Sequence, residues 1–121
     1  MGDLSRHFNR IEFACKCGCG RDTMDYETLQ VLEGVRQHFG APVFVHSGYR
    51  CPNHNKAVGG ASSSQHLYGR AVDFEVDGVL PDSVAQHLET TYPQKYGIGR
   101  YDSFTHLDTR SGPRSRWDYS K

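Results

Sequence analysis

The sequence predicts an α+β fold, a small antiparallel sheet with flanking helices, and three observations carry that expectation. Leu29, Leu32, Val35 and Phe39 recur at spacings of three and four, which puts them on one face of a helix. Segments 42–46 and 71–76 are short runs rich in apolar and β-branched residues, as strands are. Segments 97–101 and 104–109 are two more such runs joined through Asp102 and Ser103, the spacing of a hairpin.

The remaining segments follow in order. Residues 1–13 read as an irregular arm packed onto the body by Phe8, Ile11 and Phe13, and residues 14–21 as a glycine-punctuated cysteine knuckle. Thr23 or Asp25 supplies the N-cap of the first long helix, which ends at Gly40. Residues 51–64 are rich in Gly, Ser and Asn and read as a surface loop. Pro81 suits the first turn of a second helix, with Val84 and Leu88 inward, His87 towards solvent and an end before Pro93. Residues 110–121, with three arginines and Trp117, form a tail that docks on the body or stays mobile.

With 121 residues the chain is expected to form one domain, residues 1–121, and to be a monomer. Fourteen basic and fourteen acidic residues cancel, so charge offers no case for a nucleic-acid partner or an anionic membrane surface. No apolar stretch approaches the roughly 20 residues that span a bilayer, and the polar N-terminus lacks the apolar segment of a signal peptide.

The stretch from Ser64 to Asp73 carries the most specific chemistry. Gly69 lies between His66 and Asp73 and allows a tight turn, so that a strand over Ala71–Val76 returns the carboxylate towards the imidazole. A catalytic zinc site needs three protein ligands, and His106 in the strand-like segment 104–109 is the best third. On spacing alone each histidine equally reads as an ordinary surface or core imidazole.

Ser47, Gly48, Tyr49 and Arg50, then Asn55 with Gly59 and Gly60, then Ser64, His66, Gly69, Ala71 and Asp73, then His106 and Asp108, together resemble the zinc D-alanyl-D-alanine carboxypeptidase family of peptidoglycan peptidases. The resemblance spans roughly residues 4–117 in order. It implies the hedgehog/DD-peptidase-like form of the α+β fold, with Zn2+ held by His66, Asp73 and His106. It also implies a substrate-binding or charge-stabilising Arg50, and Ser64 orienting the ligand loop. The implied substrate is a bacterial peptidoglycan stem peptide, and the implied setting a phage or prophage lysis enzyme acting from the host cytoplasm on the wall, or a virion-associated one. Tyr68 and Tyr101 are candidates to line the substrate cleft.

The general base is where the chain departs from the family. Members carry an Asp or Glu three residues before the last zinc histidine, a position held here by Ser103, with Asp102 one place further back. In a regular strand Asp102, His106 and Asp108 share a face, Asp108 roughly 7 Å from His106 and Asp102 roughly 13 Å. Asp102 reaches the metal only if the chain bends near Ser103, which Gly97 and Gly99 make feasible. Both carboxylates remain candidates, and either alternatively supports a zinc histidine from behind. Competing readings of the whole are an iron oxygenase, an inactive zinc-containing wall-binding module and a virion structural protein.

Four cysteines, Cys15, Cys17, Cys19 and Cys51, are left over. Cysteines two apart bridge only with strain, so any disulfide would join Cys51 to one of the other three. Three thiolates with Cys51 or His54 would instead make a structural zinc site, although Cys-x-Cys-x-Cys is tighter than the usual ligand spacing. Free thiols are the leading expectation, consistent with a chain that shows no export signal.

Overall fold

A computed structural model describes residues 2–61 and 64–120. Residues 62 and 63 of the expected loop, and residues 1 and 121 of the arm and tail, lie outside the described residues. Among the described residues the order is α1 (Arg10–Phe13), α2 (Tyr26–Phe39), β1 (Val43–Ser47), α3 (Pro52–Ala57), a 3-10 turn (Gln65–Tyr68), β2 (Ala71–Val76), α4 (Pro81–Thr91), β3 (Gly97–Arg100), β4 (Thr105–Asp108) and β5 (Ser115–Asp118). No helix among them is long and apolar enough to cross a membrane.

The first long helix starts and stops where its chemistry dictates. The Asp25 carboxylate accepts the Glu27 N–H, and Gly40 closes α2 in the left-handed conformation with its N–H on the Arg36 carbonyl. Leu29, Leu32 and Val35 are buried, each stabilising the docked helix by roughly 1.5–3 kcal/mol. α4 contributes Val84, Ala85 and Leu88 to the same core. His87 does not point to solvent as expected: it is half-buried, with its ring stacked 3.8 Å from that of His38 on α2. Burial and the nearby His38 both lower its pKa.

The sheet runs β1-β2-β4-β3-β5. The first three pairings are antiparallel, but β5 runs parallel to β3, so the sheet is mixed rather than purely antiparallel. The reason lies in the connection. β4 ends at Asp108 opposite Gly97, and β5 starts at Ser115 opposite the same glycine, so the chain crosses β3 and reverses only relative to β4. The period of two then sorts the side chains. Val72, Phe74, Val76, Ile98 and Leu107 join the core, while Asp73, His106 and Asp108 take the other face.

Two other expectations change. Phe8 and Phe13 are buried against each other, but Ile11 is 77 % exposed because α1 is only four residues long and turns that side outward. The loop expected over 51–64 contains α3, with the Cys51 sulfur at its N-cap, Pro52 in its first turn and Asn55 buried.

Glu33 on α2 clamps the arm. Its carboxylate accepts the Ser5 hydroxyl at 2.6 Å and the His7 N–H at 2.8 Å, and faces His7 Nδ1 at 2.6 Å. Burial alone would raise this carboxyl, but the bonds from Ser5 and His7 outweigh it and hold the pKa below its ordinary value of 4.5. A depressed carboxyl stabilises the fold above that ordinary value, and the contribution fades as pH falls through the folded one. Acidification below that ordinary value therefore progressively loosens the arm. Glu33→Gln loosens it at neutral pH at a cost of about 1–3 kcal/mol. Amide hydrogen exchange at residues 5–8, compared with β2, is the check.

Candidate metal centre

One row of cross-strand neighbours builds the site. Ser47 of β1 lies opposite Asp73 of β2, Asp73 opposite His106 of β4, His106 opposite Gly99 of β3, and Gly99 opposite Trp117 of β5. The ladder is irregular between Val45 and Ser47, so β1 bends where it meets the site. The next row on this face holds Ala71, Asp108, Gly97 and Ser115.

His66 arrives from outside the sheet. It sits in the 3-10 turn, whose first N–H groups are capped by the Ser64 hydroxyl at 3.2 Å from the His66 nitrogen. Gly69, at φ 69°, ends that turn and sends the chain into β2, the route its place between His66 and Asp73 implied.

The two imidazoles are oriented by what holds their outer nitrogens. A carbonyl only accepts, so His66 Nδ1–H donates to Gly48 O at 2.7 Å and leaves Nε2 facing Asp73 Oδ2 at 3.4 Å. His106 is turned the other way, with Nε2 donating to Asp108 Oδ2 at 2.7 Å and Nδ1 facing Asp73 Oδ1 at 2.8 Å. One donor atom each from His66, Asp73 and His106 lie within 4.8 Å of one another, and all three residues are buried. Tetrahedral zinc with N and O ligands at about 2.0–2.2 Å spaces its donors roughly 3.4 Å apart, so this set fits the ion and leaves a fourth position open.

Charge follows the same contacts. Burial disfavours the Asp73 carboxylate, but hydrogen bonds from His106 and His66 more than compensate and hold it well below the usual range. For His106 burial works downward, and the bonds to Asp108 and Asp73 raise the pKa above its ordinary value.

Asp108 is fully buried, and its two oxygens are taken. Arg110 donates from Nε to Oδ1 at 2.7 Å and from Nη2 to Oδ2 at 2.8 Å, and His106 adds the third bond. Burial raises its pKa, but Arg110 and His106 depress it well below the carboxylate range. Room for this comes from β3. A Cβ at Gly97 would lie 2.4 Å from Asp108 Oδ2, and one at Gly99 would lie 2.4 Å from the Trp117 indole. The indole then reaches to 4.9 Å from the His106 ring and donates from Nε1 to the Tyr101 hydroxyl at 2.9 Å.

Arg50 faces the same group. Its Nη2 lies 3.5 Å from Asp73 Oδ2, its Nη1 3.4 Å from Asn55 Oδ1 and its Nε 3.2 Å from Ser47 Oγ. The cleft has a volume of about 400 Å³, and its lining includes Arg50, Ser64, His66, Asp73, His106 and Asp108 together with Tyr101, Arg110 and Trp117.

Two expected site residues fall outside it. Tyr68 is 60 % exposed and does not line the cleft. Asp102 is exposed in the turn between β3 and β4, because regular pairing continues to Arg100 and Thr105 and carries the turn past the donors instead of bending back. Arg110 and Trp117 are the residues that sequence reasoning missed. His46 is bonded to Glu75 at 3.0 Å and takes no part.

The sheet of this α+β domain, with the turn carrying His66, presents two imidazoles and one carboxylate to an open cleft, a donor set that could hold a metal ion. The chain belongs to the Peptidase M15 family, whose pattern it matches over residues 6–108. It is 32 % identical to the peptidoglycan L,D-endopeptidase MepK of Escherichia coli (strain K12) over 96 residues, 74 % of this chain and 48 % of that protein. A probable peptidoglycan L,D-endopeptidase MepK of Haemophilus influenzae is 31 % identical over 104 residues, 78 % of this chain and 54 % of its own length. The zinc D-Ala-D-Ala carboxypeptidase of Streptomyces albus G is 43 % identical over 47 residues, 38 % of this chain and 18 % of that protein. The chain spans about half the length of the MepK relatives it matches.

Proposed function

We propose that the chain is a zinc peptidase hydrolysing amide bonds in peptidoglycan stem peptides, and the observation that carries this is the convergence of His66, Asp73 and His106 beside Arg50 in an open cleft. His66 Nε2, an Asp73 oxygen and His106 Nδ1 are the atoms that would hold zinc. When bound, zinc polarises a carbonyl as a Lewis acid and brings the pKa of its water to about 7. The protein supplies the rest. Arg50, anchored on three sides, opposes negative charge as it builds on the scissile carbonyl oxygen. Tyr101 accepts from Trp117 and keeps its own O–H for the cleft. Trp117 gives the peptide an apolar wall.

The endopeptidase form is favoured over the carboxypeptidase because the MepK relatives align over 74 % and 78 % of the chain and the carboxypeptidase over 38 %. Phage or prophage lysis is the setting we assign, on the family resemblance of the motifs alone.

Neither nominated carboxylate suits the role of base. Asp108 is saturated by Arg110 and His106 and acts by orienting His106, and Asp102 stands outside the cleft. Asp108→Asn is expected to weaken zinc binding about 10–100-fold in a competition titration. Asp102→Asn should keep both zinc and turnover, and a dead Asp102→Asn enzyme with zinc intact would restore that residue as the base.

The deciding experiment is incubation of the zinc-loaded protein with purified peptidoglycan, with new amines and released stem peptides read by mass spectrometry. Defined peptide products are expected. Stoichiometric zinc without products would overturn the peptidase and leave a wall-binding module.

A further inference from the structure

We propose that Cys15, Cys17, Cys19 and Cys51 form a second, structural zinc site that ties residues 14–25 to the start of α3. The sulfurs come from two separate segments and meet. Sγ of Cys15 lies 3.4 Å from that of Cys17 and 3.7 Å from that of Cys51, Cys17 and Cys51 are 3.6 Å apart, and all four lie within 4.8 Å of one another. Zinc with four thiolates at about 2.3 Å spaces its sulfurs roughly 3.8 Å apart, whereas a disulfide brings two to about 2.05 Å. The spacing is that of the metal tetrahedron, and none of the four is bridged.

Backbone donors also point at the sulfurs. Cys15 Sγ accepts the Cys51 N–H at 3.4 Å, and Cys51 Sγ accepts the His54 N–H at 3.4 Å. Such bonds favour thiolates over neutral thiols, which gain little from clustering because S–H is a weak donor. The tight Cys-x-Cys-x-Cys spacing is workable here because Gly18 and Gly20, at φ 86° and 84°, curl the chain around its own sulfurs. His54 contributes its backbone rather than its ring, so the fourth ligand is Cys51.

The loop needs such an anchor. Residues 14–25 contain no helix or strand, a length at which loops usually carry a function, and Cys15 and Met24 are its apolar contributions to the interior. Its last residue donates from Asp25 N to Gly69 O at 2.8 Å, and Cys51 directly follows Arg50. A metal here would brace both the turn carrying His66 and the segment between β1 and α3 that carries Arg50. Binding displaces the S–H protons to solvent and involves no redox change.

The test is a metal count on protein purified under reducing conditions, together with reconstitution by Co2+. The wild type is expected to hold two zinc ions, and His66→Ala one. With Co2+ both should show intense thiolate-to-cobalt charge-transfer absorption. A Cys17→Ser, Cys19→Ser double variant should lose that absorption and keep a single ion. The Co2+ spectrum of the unmutated chain needs no variant to fold. Absence of the charge-transfer band, a single zinc lost on His66→Ala, or a disulfide in the intact mass would each overturn the proposal. Two ions retained by His66→Ala together with the cobalt band would support the cysteine site while refuting the His66 assignment, so the two failures are distinguishable.

Discussion

His66→Ala is expected to lose the cleft zinc and peptidoglycan cleavage together. His66 is the one donor that the sheet does not supply, and its removal leaves Asp73 and His106, two ligands where such a site uses three. The Lewis-acid contribution amounts to several kcal/mol, so turnover should fall by at least about a thousandfold. The sheet should persist, because His66 lies in the 3-10 turn outside the apolar core cluster, and circular dichroism can verify this. Chelation of the wild type should reproduce the loss, and added zinc should reverse it. Full activity in His66→Ala would remove this metal centre from the mechanism.

Arg50→Ala separates two uses of a positive charge. If the guanidinium opposes charge that exists only as the carbonyl is attacked, kcat falls by about 10²–10³-fold and KM hardly moves. If it binds a carboxylate already present on the substrate, KM rises and kcat is spared. The geometry favours the first outcome. Arg50 is held at the metal group itself, 3.5 Å from Asp73, rather than at the rim of the cleft. Zinc content should survive the change, and loss of zinc would show that Arg50 acts mainly by holding Asp73.

Much of this arrangement was legible in the residues, and the exceptions share a cause. β2 has the bounds that its apolar run and Gly69 suggested, α2 ends at Gly40, and the third donor arrives on the second strand of a hairpin. These are local signals: a cap, a turn residue, a period. What escaped was non-local. Ser115, Arg116, Trp117 and Asp118 show no apolar alternation, since β5 is an edge strand whose stability comes from β3 rather than from its own pattern. α3 hid in a polar segment because its cap is a cysteine sulfur. Gly97 and Gly99 lie in a strand as expected, but the bend they were expected to allow is absent, and what they provide is clearance for Asp108 and Trp117. The pairing of Asp108 with Arg110, two residues on, was likewise not anticipated.

The pairing of Asp73 with His106 has a consequence for how the chain reaches its final state. Two of the three donors are set opposite each other by the hydrogen-bond ladder, and a slip of one residue would turn one of them to the apolar side. A misaligned sheet therefore has no place for the ion. Zinc favours only the aligned sheet, by RT ln(1 + [Zn]/Kd), and withholds that stabilisation from every near-miss. A zinc ion held by these donors would thus act as an inspector of strand alignment, and a molecule that kept it would certify that its β2 and β4 had paired correctly.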